Sequence, residues 1–192
     1  MIAQALLFLV GTIVSLFSTA LLLRFFLQVA RAPARNPISQ FVNALTDPVV
    51  RPARRIVPGW AGLDLSTLVL AWVAEFLLLV LQQLIGSAFG MTAGMPIVAF
   101  LVLGAISVLR MSVYIYMGAL ILQAVLSWVA PFSPVMPVVN SLTRPLLRPL
   151  QRRVPAIGGV DLSPLVLIIV LQLVLMIPVH WLESMARFAL GG

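Results

Sequence analysis

The chain has 192 residues, 62% of them hydrophobic and only 9% charged, where a soluble domain carries roughly a quarter charged residues; with a mean hydropathy of +1.15 it has too little polar surface to cover a water-soluble globule. All twelve basic residues are arginine, against three aspartates and two glutamates, for a formal net charge of +7. The absence of cysteine excludes disulfides, thiolate metal sites and a thiol nucleophile, and the absence of lysine excludes a Schiff-base or Walker-type lysine.

A bilayer is crossed by about 20 consecutive apolar residues, and four such runs occur in order along the chain. The first, about 3–30, lacks the positive leader and cleavage site of a secretory signal and reads as a retained span. A basic, proline-rich segment at 36–58 leads to a second span at about 64–86. After the linker "GSAFGMTAGMP" comes a long apolar run at 97–129, interrupted by Arg110. Counting back from the next basic segment places Arg110 near the far membrane face, so one tilted, overhanging helix is expected. A second basic segment at 133–155 precedes a fourth, continuous span at about 161–183.

Shifting the sequence by 97 residues aligns 37–70 with 134–167 without a gap. The matched pairs include Asn43/Asn140, Thr46/Thr143, Pro48/Pro145, Arg51/Arg148, Pro52/Pro149, Arg55/Arg152, Asp64/Asp161 and Ser66/Ser163. The expected fold is therefore an all-α membrane protein of four transmembrane helices in two tandem parallel repeats, 1–90 and 91–192. Both basic segments then fall on one side, which the positive-inside rule makes the cytoplasm. Both termini, the linker and the tail from His180 to Arg187 fall outside.

Within each basic segment, apolar positions recur at helical spacing on one stripe. Arg51, Arg54 and Arg55 in the first copy, and Arg144, Arg148 and Arg152 at intervals of four in the second, occupy another face, with Arg153 a further candidate for the same contact. Such a helix lies in the headgroup plane. Prolines favour first turns, so Pro48, Pro52, Pro145 and Pro149 predict two short helices with a bend, ended by Pro58 or Pro155. Glycine turns at Gly62 and at Gly158–Gly159 come next, and Asp64, Ser66, Asp161 and Ser163 are expected to cap the next spans. Setting topology accounts for most of this pattern; contact with anionic phospholipid in the bilayer is its natural corollary, with an acidic protein partner or a second copy of the chain as the other candidates. Direct nucleic-acid binding is not expected, because the arginines sit between apolar segments with Trp60 the only indole nearby.

Ionisable residues inside spans ask for a named partner. Arg24 and Glu75 in the first half correspond to Gln123 and Gln172 in the second. Both pairs are self-complementary, and a depth mismatch of roughly 7 Å is within the reach of an arginine. An Arg24–Glu75 contact fastening the first hairpin is expected. His180 and Glu183 stand three apart without a third ligand, so no metal site is expected, and no cofactor. Gly158–Gly159 lacks the Lys-Ser/Thr of a phosphate loop. One histidine and five acids assemble no nucleophile–base–orienter set, so no catalytic residue is assigned and no enzyme is expected.

Two copies of "NxLTxPxxRPxxRxVPxxxGxDLS", each after an apolar helix ending in a form of "RxxLSW", resemble the YggT family across almost the whole chain. The second motif is split here: Leu126–Ser127–Trp128 keeps "LSW" with Gln123 in place of arginine, whereas Arg24 keeps the arginine without the rest. The resemblance implies a bacterial inner-membrane location, and a scaffold or assembly role linked to osmotic tolerance, division or membrane-complex assembly. The competing expectation is a small transporter or channel subunit using Glu75 as an ion or proton site.

Overall fold

The computed structural model describes residues 2–33, 35–57, 59, 63–88, 95–153 and 161–191. Among them the chain forms helices and no strand: α1 (Ile2–Val29), α2 (Pro37–Ala53), α3 (Leu65–Ala88), α4 (Ile97–Val129), α5 (Met136–Gln151), α6 (Ser163–Val174), a π-turn (Leu175–Val179) and α7 (His180–Gly191). Four stretches are long and apolar enough to cross a membrane: Gln4–Val29, Leu65–Ala88, Ile97–Val129 and Ser163–Ala189. The helix stops read at Pro58 and Pro155 lie outside the described residues, as do Trp60 and the glycine turns at Gly62 and Gly158–Gly159.

The apolar runs set the span lengths. α4 is one continuous helix of 33 residues, about 50 Å at 1.5 Å per residue, and so overhangs a hydrocarbon core of about 30 Å. The fourth span departs from the sequence reading. It reaches Gly191 and contains a wider turn at Leu175–Val179, around Pro178. Pro178 has no N–H to give to the preceding turn, and a π-turn absorbs that defect without ending the helix. One extra residue in a turn rotates the rest of the helix by roughly 100°. Val179, Glu183 and Ala186 come to face α4.

α4 is the centre of the bundle, touching α1, α3, α5, α6 and α7. Leu21 and Leu22 of α1, Val50 of α2, Ala71 of α3 and Val108 of α4 form one buried cluster. Ala119 packs against Val139 and Leu142 of α5, and Leu120 against Leu147 and Leu167. Gly104 lets α4 approach α3 closely, since a Cβ there would lie 3.3 Å from the Phe76 backbone nitrogen. Small residues at helix contacts are how apolar helices pack where lipid removes the usual hydrophobic drive.

The two proline-bearing segments correct an expectation. Each is a single helix, with Pro48 and Pro52 inside α2 and Pro145 and Pro149 inside α5. All four prolines are on the exposed side of their helix. The carbonyls that lose their N–H partner therefore lie on the exposed side, and the cost is hydration rather than burial of an unpaired acceptor. At the start of α2, Asn36 caps by accepting the Ser39 N–H at 2.9 Å, with Pro37 at the first helical position.

Candidate functional site

Both arginine-bearing helices emerge at the same end of the bundle. The C-terminal end of α1 packs on α5 through Leu23, Phe26 and Ala30 against Val139 and Leu142, while α2 folds back over α1 and α3. The arginines of the two segments are engaged differently.

On the first segment the charges are largely answered. Arg24, from α1, donates to the Thr46 hydroxyl at 2.7 Å and to Asp47 at 2.8 Å. Arg51 takes the other Asp47 oxygen at 2.7 Å. The hydrogen bond from Arg24 is the main reason the Asp47 carboxyl is held below its ordinary range, with Arg51 adding to it against a smaller opposing effect of burial. Arg54 grips one oxygen of buried Asp64 with two nitrogens, at 2.9 and 2.5 Å. That carboxylate raises the Arg54 guanidinium above its usual range. Gln28 of α1 accepts the Asp64 N–H at 3.2 Å, closing the joint between α1, α2 and α3.

On the second segment the basic side chains stand open. Arg144, Arg148, Arg152 and Arg153 are exposed, and none has an acidic partner among the described residues. Gln151 takes the role of Arg54, donating to Asp161 at 2.7 Å. Asp161 also accepts the Ser163 N–H at 2.8 Å, the cap that its position predicts. Burial pushes the Asp161 carboxyl up, but these hydrogen bonds outweigh it and hold the group below its ordinary range.

Asp64 does not cap α3 with its side chain, which Arg54 occupies; its backbone carbonyl instead accepts from the Thr67 hydroxyl at 2.7 Å. The Ser66 hydroxyl donates to the Val57 carbonyl at 2.6 Å. Ser163 is buried at the matching place, and Val154, the counterpart of Val57, lies outside the described residues.

The family model described as CCB3/YggT matches residues 3–85 and 102–182. The chain belongs to the CCB3/YggT family. It is 37% identical over 183 residues to an uncharacterized protein of Pseudomonas aeruginosa, covering 94% of this chain and 91% of that one. It is 32% identical over 186 residues to the uncharacterized protein YggT of Escherichia coli, covering 96% and 95%. A protein of Vibrio alginolyticus, named only by its place in a proC 3' region, is 40% identical over 166 residues, covering 86% and 88%. No solved structure matches.

In this YggT-family chain the intramembrane pairs are not those the sequence predicts. Arg24 does not reach Glu75, because Asp47 on α2 lies over the end of α1 and offers a nearer carboxylate. Glu75 is 5% exposed, and its Oε1 meets no donor among the described residues. Gln123 and Gln172 do not pair either; Gln123 Oε1 has no partner among the described residues and Gln172 is exposed. The pair that sequence reasoning missed is Arg110–Glu183, at 3.0 Å between α4 and α7, with Arg187 on the other Glu183 oxygen at 2.9 Å. Arg110 is 19 residues from the end of α4 that leads to the second basic segment, about 28 Å along the helix, which is the depth that counting back from that segment gives. The rule that a charge inside a span needs a partner could have found this pair, had the fourth span been drawn past Glu183.

Proposed function

We propose that the chain is a non-catalytic scaffold or assembly factor of a bacterial inner membrane. Its tandem halves, 1–90 and 91–192, stand parallel. α2 and α5 lie in the headgroup plane on the cytoplasmic side, both termini face outside, and the arginines contact anionic lipid or a partner protein. The observation that carries this reading is the emergence of the exposed arginines of α2 and α5 at one end of an otherwise apolar bundle. Phe41, Leu45 and Val49 support it. They form an exposed apolar stripe on α2, at steps of four residues, beside the arginine face. A helix with one aliphatic and one arginine face is at home where acyl chains meet headgroups. The family's links to osmotic tolerance, division and membrane-complex assembly fit a scaffold.

The test is gentle detergent purification with mass spectrometry of what accompanies the protein. Reversing Arg51, Arg55, Arg148 and Arg152 to glutamate should release the companion lipid or protein while helicity is kept; full retention would refute the reading. Orientation is testable because the chain has no cysteine. Cysteines placed singly at Arg35 and Ser87 should label from opposite sides of the membrane.

A second reading, a small transporter or channel subunit, is favoured by one observation: Glu75 is a buried acid without the arginine partner expected for it. It requires ion- or pH-dependent flux in proteoliposomes that Glu75→Gln abolishes.

A further inference from the structure

At the junction of the two halves, Ala30 and Arg31 just past α1, Ser141, Arg144 and Arg148 of α5, and Arg152 at its C-cap line an open cup of about 650 Å³. Four guanidinium groups face it, and none has an acidic partner among the described residues. The neighbouring hollow over the first segment, of about 380 Å³, is lined by Arg24, Arg31 and Arg54; Arg31 borders both, while Arg24 and Arg54 are already held by Asp47 and Asp64. At the 97-residue offset, the position of Asp47 is Arg144. The first half carries its own counter-anion where the second carries a further cation.

Arg31 gives an independent sign that the cup is built for a ligand. Its φ is 50°, in the left-handed region. Its N–H bonds the Gln28 carbonyl at 3.0 Å and the next N–H, of Ala32, bonds the Leu27 carbonyl at 2.9 Å. These are the two bonds of a Schellman stop, whose left-handed position is normally glycine because any Cβ is strained there. An arginine at this position costs the helix end stability, and its side chain is what the position retains in return.

A third observation tells which anion. A crevice of about 240 Å³ is lined by Leu23 and Leu27 of α1, Val138 and Leu142 of α5, and Ile115 of α4. Two of these helices, α1 and α5, also carry the cup, and Leu27 and Val138 lie one turn before Ala30, Arg31 and Ser141. Cationic cup and apolar crevice are therefore consecutive on one pair of helices. A soluble anion would use the first alone; a phospholipid uses both.

We propose that this junction is a binding site for one anionic phospholipid, whose phosphodiester is held by Arg31, Arg144, Arg148 and Arg152 and whose acyl chain runs along the crevice. Basic pockets between helices on the cytoplasmic side suit such headgroups. The proposal rests on the headgroup-contact reading above but assigns the contact to one place, made by both halves together.

The test uses the full-length chain, delipidated in neutral detergent, with bound phosphatidylglycerol and phosphatidylcholine counted by native mass spectrometry. Phosphatidylglycerol should be retained in preference, and each arginine removed from the cup should weaken it roughly fivefold. Arg31→Gly is the decisive variant: it relieves the left-handed strain, so its melting temperature should stay level or rise while lipid retention falls. Arg144→Asp, which copies the charge of the first half, should fall further, and Arg148→Gln gives a milder check. Equal losses from Arg51→Gln and Arg55→Gln would overturn the assigned site and leave general headgroup contact standing. No preference for phosphatidylglycerol in the unmodified chain would overturn the lipid part of both. Displacement by inorganic phosphate or pyrophosphate at matching concentration would overturn the lipid assignment in favour of a soluble anion. A lower melting temperature for Arg31→Gly would make Arg31 a structural residue and sink its role.

Discussion

Arg54 and Asp64 are joined across ten residues by two hydrogen bonds to one carboxylate oxygen, and Gln151 and Asp161 repeat the relation at the same spacing in the second half. The joint between the basic helix and the next span thus needs a donor at this position but not a charge. Asp64 is 4% exposed, and a buried carboxylate without a donor is costly. Arg54 is itself half exposed, with 48% of its side chain accessible, so solvent screening moderates the loss. Arg54→Ala is expected to lower stability by roughly 1–3 kcal/mol and Arg54→Gln, which copies the second half, by clearly less. Thermal unfolding in detergent measures both. Equal losses would mean that charge, not donation, holds the joint.

The halves also exchange charge as a set. Arg24 and Asp47 in the first become Gln123 and Arg144 in the second. Asp47→Arg should be strongly destabilising, because it places a third cation beside Arg24 and Arg51 in a partly buried setting. Adding Arg24→Gln removes the clash and reproduces the second half, so the double variant is expected to be more stable than Asp47→Arg alone. A rescue of less than about 0.5 kcal/mol, the range in which independent sites simply add, would show that the two positions are not coupled.

Acid should loosen this region first. The folded-state pKa values of Asp47 and Asp161 lie below the ordinary value of 3.8. Groups depressed in the folded state stabilise it fully above their unfolded pKa and lose that contribution as pH falls through the folded one. Stability from these two carboxyls is therefore expected to be flat at neutral pH and to fall only below about pH 4. Arg24→Gln removes the main cause of the Asp47 depression and should flatten the acid limb of a melting-temperature profile. An unchanged limb would remove Asp47 from the explanation.

The contact between the halves rests on a glycine. A Cβ at Gly104 would meet the Phe76 nitrogen at 3.3 Å and its Cα at 3.4 Å. These are backbone atoms of α3 and cannot swing aside as a side-chain tip can. Gly104→Leu should cost roughly 1–3 kcal/mol by forcing α3 and α4 apart, and Gly104→Ala less. It should also break the hydrogen bond from the Trp72 indole to the Leu101 carbonyl, 3.0 Å in length. Unfolding measurements on the two variants decide this, and a neutral Gly104→Leu would contradict the close approach.

The spans were legible because apolar length is a strong signal that tertiary context does not override. The first begins and ends within a residue of its expected bounds, and α4 is one helix as read. Its polar partners were less legible, since a pair depends on the tilt and register of two helices. Arg24 looked down its own hairpin to Glu75, whereas α2 brings Asp47 nearer. The charge exchange at Asp47/Arg144 carried that information and is visible in the sequence alone. The continuity of α2 and α5 was hidden for another reason. Whether a proline breaks a helix depends on whether the carbonyl it frees is buried, and exposure is a property of the fold. Nothing in the sequence marks Arg31 as left-handed, since the residue found there is not the glycine that announces such a turn.

Glu75 separates the two functional readings. Its Oε1 meets no donor among the described residues, and Arg24 and Arg110 are paired with Asp47 and Glu183. Its hydroxyl neighbour Ser18 can serve an amide as well as a carboxylate, so replacing the carboxyl by an amide of the same shape breaks no ion pair made by Glu75 among the described residues. Glu75→Gln is therefore expected to leave melting temperature level or higher. An Arg24–Glu75 clasp would instead cost about 3 kcal/mol or more on losing one partner of a buried pair. The same variant reports on function. If the chain is a scaffold, Glu75→Gln keeps its companions in a gentle purification and the unmodified protein conducts nothing in proteoliposomes. Flux through the unmodified protein that Glu75→Gln abolishes, without any loss of stability, would make the buried carboxyl an ion or proton site and overturn the scaffold reading.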